Sequence, residues 1–134
     1  MSSFQAAAAC GADMIETDIH MTRDKELVLI HDNCVDRTTD GKGFIREMTL
    51  PDIKKLDARS WKNGRFTGLR IPTLGEFLDS VQDNADLLFN FELKDYPEEC
   101  GISFCYESVN RTLSMIREYG LENRCVINSF SAHI

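Results

Sequence analysis

Met14-Ile15-Glu16-Thr17-Asp18-Ile19-His20 and, after a short polar connection, Leu27-Val28-Leu29-Ile30-His31-Asp32 are the two runs whose reading decides the fold. In the first, apolar or β-branched residues alternate with polar ones. Period two places Ile15, Thr17 and Ile19 on one face of a strand and Glu16, Asp18 and His20 on the other. Two carboxylates therefore share a surface. The connection Arg23-Asp24-Lys25-Glu26 is too short for a parallel crossover, so the second run is expected to pair antiparallel with the first as a hairpin over Leu27 to Asp32. A turn centred between Asp24 and Lys25 sets Asp18 opposite His31 and makes Glu16, Asp18 and His31 converge. A slip of one residue in that turn would remove the pairing.

Working outward, the alanine-rich stretch from Ser3 to Cys10 favours helix, and Gly11 supplies its stop. Residues from Cys34 to Arg70 are polar and rich in turn signals such as Asp40-Gly41 and Asn63-Gly64. They contain one short helix opened by Thr49-Leu50-Pro51-Asp52. This segment reads as an insertion, with Arg37 anchoring it through hydrogen bonds and Trp61 and Phe66 filling its small core. Regular structure resumes at Pro72, where Thr73 and Glu76 have capping-box spacing and Leu74, Phe77, Leu78 and Val81 form one apolar stripe. Leu87 to Lys94 then reads as a strand with Phe89, Phe91 and Leu93 on one face and Asn90, Glu92 and Lys94 on the other. A helix near Glu107 to Tyr119, carrying Val109, Leu113 and Ile116 and closed by Gly120, precedes a last strand, Cys125 to Phe130.

Strands alternating with helices imply an α/β fold with parallel strands, and polar inward faces favour a barrel whose site lies at the strand carboxyl ends. A complete (β/α)8 barrel takes about 250 residues, so the 134 residues here supply roughly half of one.

The composition, 43% hydrophobic and 28% charged, suits a single domain with a buried core. A formal charge of -7 with scattered Lys and Arg argues against a nucleic-acid surface. An anionic substrate requires a local cation or a few basic groups to reverse the potential inside a cleft. No apolar run is long enough for a transmembrane segment. Five cysteines, odd in number and without CxxC spacing, read as free thiols in a reducing compartment, and cytoplasmic localisation is expected. Asn110-Arg111-Thr112 matches a glycosylation sequon but falls inside a predicted helix and carries no weight.

Gly11 to Asp18, Leu29-Ile30-His31-Asp32, Asp36-Arg37-Thr38-Thr39-Asp40-Gly41, Ile71-Pro72-Thr73-Leu74, Phe91-Glu92-Leu93-Lys94 and Ser129-Phe130 occur in an order that resembles the glycerophosphodiester phosphodiesterase family. The resemblance covers nearly the whole chain. It implies a TIM barrel of the phospholipase C-like phosphodiesterase type with a small insertion after the second strand. Residues 1–134 would be a partial barrel domain lacking the first strand and the later ones, with hairpin and insertion at roughly 21–70.

By resemblance, Glu16, Asp18 and Glu92 look like ligands of one divalent metal ion, Mg2+ or Ca2+. His31 looks like one of two acid/base histidines, and Lys94 like a phosphate contact. The expected activity is hydrolysis of a small-molecule glycerophosphodiester to sn-glycerol 3-phosphate and an alcohol. The family's opening His-Arg-Gly and Glu-Asn-Thr motifs, which supply the other histidine and an arginine, are absent.

The chemistry suits these residue types. Three carboxylates crowded together are costly without a cation, a hard cation neutralises phosphoryl charge, and imidazole exchanges protons near neutrality. Each assignment has a plainer rival. Glu16 and Asp18 would otherwise be a solvated strand edge, Glu92 and Lys94 a surface ion pair, and His31 a cap at a strand end. His20 reads as structural or peripheral. For the whole chain the rivals are a non-catalytic metal- or phosphate-binding remnant and a related lipid head-group phosphodiesterase.

Overall fold

The computed structural model describes residues 2–58 and 68–134. Asn63-Gly64, Trp61 and Phe66, read above as a turn and as core of the insertion, lie outside the described residues. Helix α1 (Ser2–Ala9) is built on the alanine run, and Gly11 at φ 81° takes the left-handed conformation that closes such helices. Strands β1 (Met14–Met21), β2 (Leu27–Leu29), β3 (Leu88–Leu93) and β4 (Cys125–Asn128) form a sheet of order β2-β1-β3-β4. The first pair is antiparallel, and β1–β3 and β3–β4 are parallel.

The hairpin corrects the expected register. Ile19 lies opposite Leu29, His20 opposite Val28 and Met21 opposite Leu27, so Asp18 does not face His31. The cause is Lys25, which adopts φ 69°. With Thr22 N–H bonded to Glu26 O at 2.9 Å and Lys25 N–H to Thr22 O at 3.0 Å, the loop has three residues centred on Asp24. A type I turn followed by a left-handed residue is a standard way to close such a loop, and it moves the ladder by one. Strand β2 also ends early, at Leu29 rather than Asp32. Beyond it, Ile30 gives its N–H to Asp18 O at 3.3 Å and the chain then leaves the ladder.

One face of the sheet carries the helices. Helix α3 (Leu74–Val81) opens with the expected capping box, in which both the Thr73 and Glu76 side chains bond across the first turn. It buries Leu74, Phe77, Leu78 and Val81. Phe4 of α1 packs edge-on against Phe77 with ring centroids 4.7 Å apart, Phe77 against Phe89 at 5.9 Å, and Phe89 stacks on Phe91 at 5.7 Å. Phe77, Phe89 and Phe91 are fully buried, each contributing roughly 1.5–3 kcal/mol of transfer free energy.

Helix α5 (Ile102–Glu118) starts more than a turn earlier than expected, behind Gly101 at φ 83°. It buries Cys105, Ser108, Thr112 and Ile116, leaving Val109 and Leu113 only half-buried. The rotation has a physical reason: Ser108 donates to the buried Asp95 at 2.6 Å, and Thr112 to Ser108 O at 3.0 Å.

Between β2 and α3 the chain builds a second core from Val28, Val35, Ile45, Ile53 and Ile71. Helix α2 (Leu50–Ile53) is capped there by Thr49 as expected, next to a short 3-10 turn, Ile45–Glu47. A further short helix, α4 (Pro97–Cys100), follows β3.

Candidate active site

The helix-free face of the sheet carries the polar residues. In the parallel ladder Glu16 stands beside Asn90 and Asp18 beside Glu92, while Glu92 stands beside Asn128 of β4. Paired residues project to the same side, so the register gathers acids from two strands. One oxygen from each of Glu16, Asp18 and Glu92 lies within 4.8 Å of the others, an arrangement that no other His, Cys, Asp or Glu group attains among the described residues. Exposure falls from Glu16, which faces solvent, through Asp18 to the buried Glu92.

Lys94, just past the end of β3, returns its ammonium to this group. Its Nζ is 3.0 Å from Glu92 Oε1, 3.3 Å from Asp18 Oδ1 and 3.4 Å from His31 Nε2. The Tyr96 hydroxyl donates to the same Glu92 oxygen at 3.2 Å. Burial pulls the Lys94 pKa down, but hydrogen bonding to Glu92 and the charges of Asp18 and Glu92 outweigh it and hold the ammonium above the usual lysine range. Burial pushes Glu16 up, the negative charges of Asp18 and Glu92 push it further, and Lys94 and His31 only partly compensate. Among the described residues one ammonium thus bridges Asp18 and Glu92 and acts on Glu16 through its charge alone. An all-oxygen, net-negative donor set of this kind fits a hard divalent cation.

His31 reaches the cluster despite the shifted register. Because strand alternation ceases after Leu29, its side chain is free to turn toward Lys94. Its Nδ1 lies 2.7 Å from Asp32 Oδ1. Arg37, expected to anchor the insertion through hydrogen bonds, grips Asp32, with Nε donating to Oδ2 at 2.7 Å and Nη2 to Oδ1 at 2.8 Å. These hydrogen bonds from Arg37, outweighing the opposing effect of burial, hold the Asp32 carboxyl far below the usual carboxylate range. A cavity of about 340 Å³ opens here, walled in part by His31, Asp32, Lys94 and Tyr96.

His20 turns away from this chemistry. Its buried ring places Nδ1 at 2.9 Å from Asp95 Oδ1 and Nε2 at 3.4 Å from His31 O. Asp95 also accepts from Met21 N–H at 2.8 Å and from Ser108 Oγ at 2.6 Å. Asp32, Asp95 and Tyr96 received no role from the sequence. Asp32 could have been found from its adjacency to a candidate acid/base histidine, whereas Asp95 and Tyr96 follow the end of β3, where alternation no longer predicts direction.

The five cysteines are free, and burial raises the Cys100 thiol to about 11, leaving it a poor nucleophile. Among the described residues no helix is long and apolar enough to cross a membrane.

Comparison with known proteins identifies the family of the chain. The family model for the glycerophosphoryl diester phosphodiesterase family matches residues 1–134. A glycerophosphodiester phosphodiesterase of Caldanaerobacter subterraneus subsp. tengcongensis is 42% identical over 131 residues, which cover 98% of this chain and 51% of that protein. Among solved structures, an Oleispira antarctica phosphodiesterase in complex with the product sn-glycerol-3-phosphate superposes with a TM-score of 0.84 at 27% identity, covering 98% of this chain and 51% of the other. A glycerophosphodiester phosphodiesterase from Agrobacterium tumefaciens gives 0.82 at 29%, with the same two coverages. The chain spans about half the length of the relatives it matches. It belongs to the glycerophosphoryl diester phosphodiesterase family, and its α/β sheet is part of that family's TIM barrel.

Proposed function

We propose that this protein hydrolyses glycerophosphodiesters to sn-glycerol 3-phosphate and an alcohol, using one divalent cation, Mg2+ or Ca2+. The observation that carries the reading is the convergence of Glu16, Asp18 and Glu92 beside Lys94 and His31 on one face of the sheet. Family membership and the product bound to the Oleispira antarctica relative support the same substrate class.

A dication held by Glu16, Asp18 and Glu92 would supply charge neutralisation and orientation for in-line displacement at phosphorus. Lys94 adds a second positive charge in a half-buried setting, where an ammonium acts more strongly than it would in bulk water. His31, with Nδ1 turned to Asp32, offers Nε2 to take a proton from the attacking hydroxyl or to return one to the departing alkoxide. Tyr96 fixes the Glu92 carboxylate through its hydroxyl. The free thiols support a cytoplasmic setting.

The test is release of sn-glycerol 3-phosphate from glycerophosphocholine and glycerophosphoethanolamine by the full-length protein, with and without chelator. Turnover that stops on metal removal and in His31→Ala is the expected result. Turnover indifferent to chelator contradicts the reading, and phosphate binding without turnover favours a non-catalytic binding module.

A further inference from the structure

We propose that Arg37 is a positioning residue that acts through Asp32 to fix the tautomer and the aim of His31. The proposal rests on the proton-transfer role proposed for His31. A neutral imidazole has two tautomers, selected by what each ring nitrogen faces. Nδ1 faces an acceptor-only carboxylate at 2.7 Å, which requires the proton to sit on Nδ1. Nε2 faces a donor-only ammonium at 3.4 Å, which requires a lone pair there. The two neighbours select the same tautomer, with Nε2 as the exchanging atom.

Asp32 can impose this choice only if its own carboxylate plane is held. The His31–Asp32 contact joins adjacent residues in a loop, and 65% of the His31 side chain is exposed, so packing alone does not lock either group. Arg37 provides the hold. Its Nε and Nη2 reach both carboxylate oxygens at 2.7 and 2.8 Å, a two-point charge-assisted grip that fixes the plane as well as the position. Among the described residues the hydrogen bonds of the Arg37 side chain all go to Asp32, and its own side chain is 58% exposed. Removing it should therefore leave the core and the acid cluster intact.

The experiment compares Arg37→Ala, Arg37→Lys and His31→Ala in the full-length protein. It follows turnover, Mg2+ affinity by calorimetry, thermal unfolding and the 15N shifts of the His31 ring. For Arg37→Ala, kcat should fall roughly 10- to 100-fold, the range seen when an orienting partner is lost. KM and Mg2+ affinity should stay within about twofold, because the affected interaction is made in the transition state. Arg37→Lys should recover part of the rate, since an ammonium keeps the charge but not the fork. In the unaltered protein the neutral His31 ring should show a protonated Nδ1 and an unprotonated Nε2, and in Arg37→Ala the two shifts should move toward each other. An Nε2-protonated ring in the unaltered protein overturns the proposal. So does Arg37→Ala with unchanged kcat and shifts while His31→Ala is inactive, and so does a rate loss accompanied by weaker Mg2+ binding or earlier unfolding. Full activity of His31→Ala would instead refute the underlying role of His31.

Discussion

Around Asp95, one buried carboxylate meets three donors, from His20, Met21 N–H and Ser108. Around Glu92, the ammonium of Lys94 meets Asp18 and Glu92, the hydroxyl of Tyr96 donates to Glu92, and Glu16 adds a third carboxylate to the same cluster. Both clusters sit on β1 and the carboxyl end of β3, only a few residues apart. The first is satisfied by the protein itself and ties strand, loop and helix α5 together. Among the described residues the second carries more negative charge than it has positive partners, which is the condition under which an external cation is bound rather than tolerated. Neighbouring polar groups on one sheet thus divide into a structural network and a receptive one, distinguished by charge balance rather than by burial.

The sharpest way to break this contrast is Glu92→Gln. Turnover of glycerophosphodiesters should fall roughly a thousandfold, in line with the several kcal/mol that a catalytic metal supplies. Thermal unfolding without metal should be unchanged or occur later, because a repulsive charge has gone. Loss of stability in parallel with activity would place Glu92 in the structural class.

Asp95→Ala should do the reverse. It leaves three donors unpaired and should cost roughly 3 kcal/mol in denaturant unfolding, while Mg2+ affinity of the remaining folded protein is kept. A stable variant that no longer binds metal would erase the distinction. Mg2+ itself should stabilise the unaltered protein by about 2.7 kcal/mol at a hundred times its dissociation constant, and should have no such effect on Glu92→Gln.

The smallest effect belongs to the capping box, remote from both clusters. Thr73→Ala should cost about 1 kcal/mol without touching activity. Burial tends to raise the Glu76 pKa, but hydrogen bonds from Lys54 and the Thr73 amide prevail and hold it below the usual value. A depressed carboxylate contributes stability above its unfolded pKa and loses it as pH falls through the folded one. The thermal midpoint of Glu76→Gln should therefore lie below that of the parent near neutrality, and the gap should close as the solution is acidified past the ordinary glutamate range.

The receptive cluster was legible because strand alternation is a local property. Period two is enough to put Glu16 with Asp18, and Glu92 with Lys94, on one face, and parallel pairing brings the two strands together. The structural network was illegible for the opposite reason, since Asp95 finds His20 and Met21 more than seventy residues away. Polarity misled on α5, where Ser108 and Thr112 are buried because they serve that network, so the apolar pattern of Val109 and Leu113 pointed to the wrong face. The hairpin register escaped because it turns on Lys25 at φ 69°, a conformation that residue type does not announce. His31 arrives beside Lys94 by leaving the strand, not by the cross-strand pairing expected for it.

The decisive measurement is a crystal structure of the protein grown with Ca2+. One ion should be bound with oxygens of Glu16, Asp18 and Glu92 at about 2.3–2.6 Å. An ion bound elsewhere, or a coordination shell lacking either Glu16 or Glu92, would contradict the reading of this cluster as a metal site.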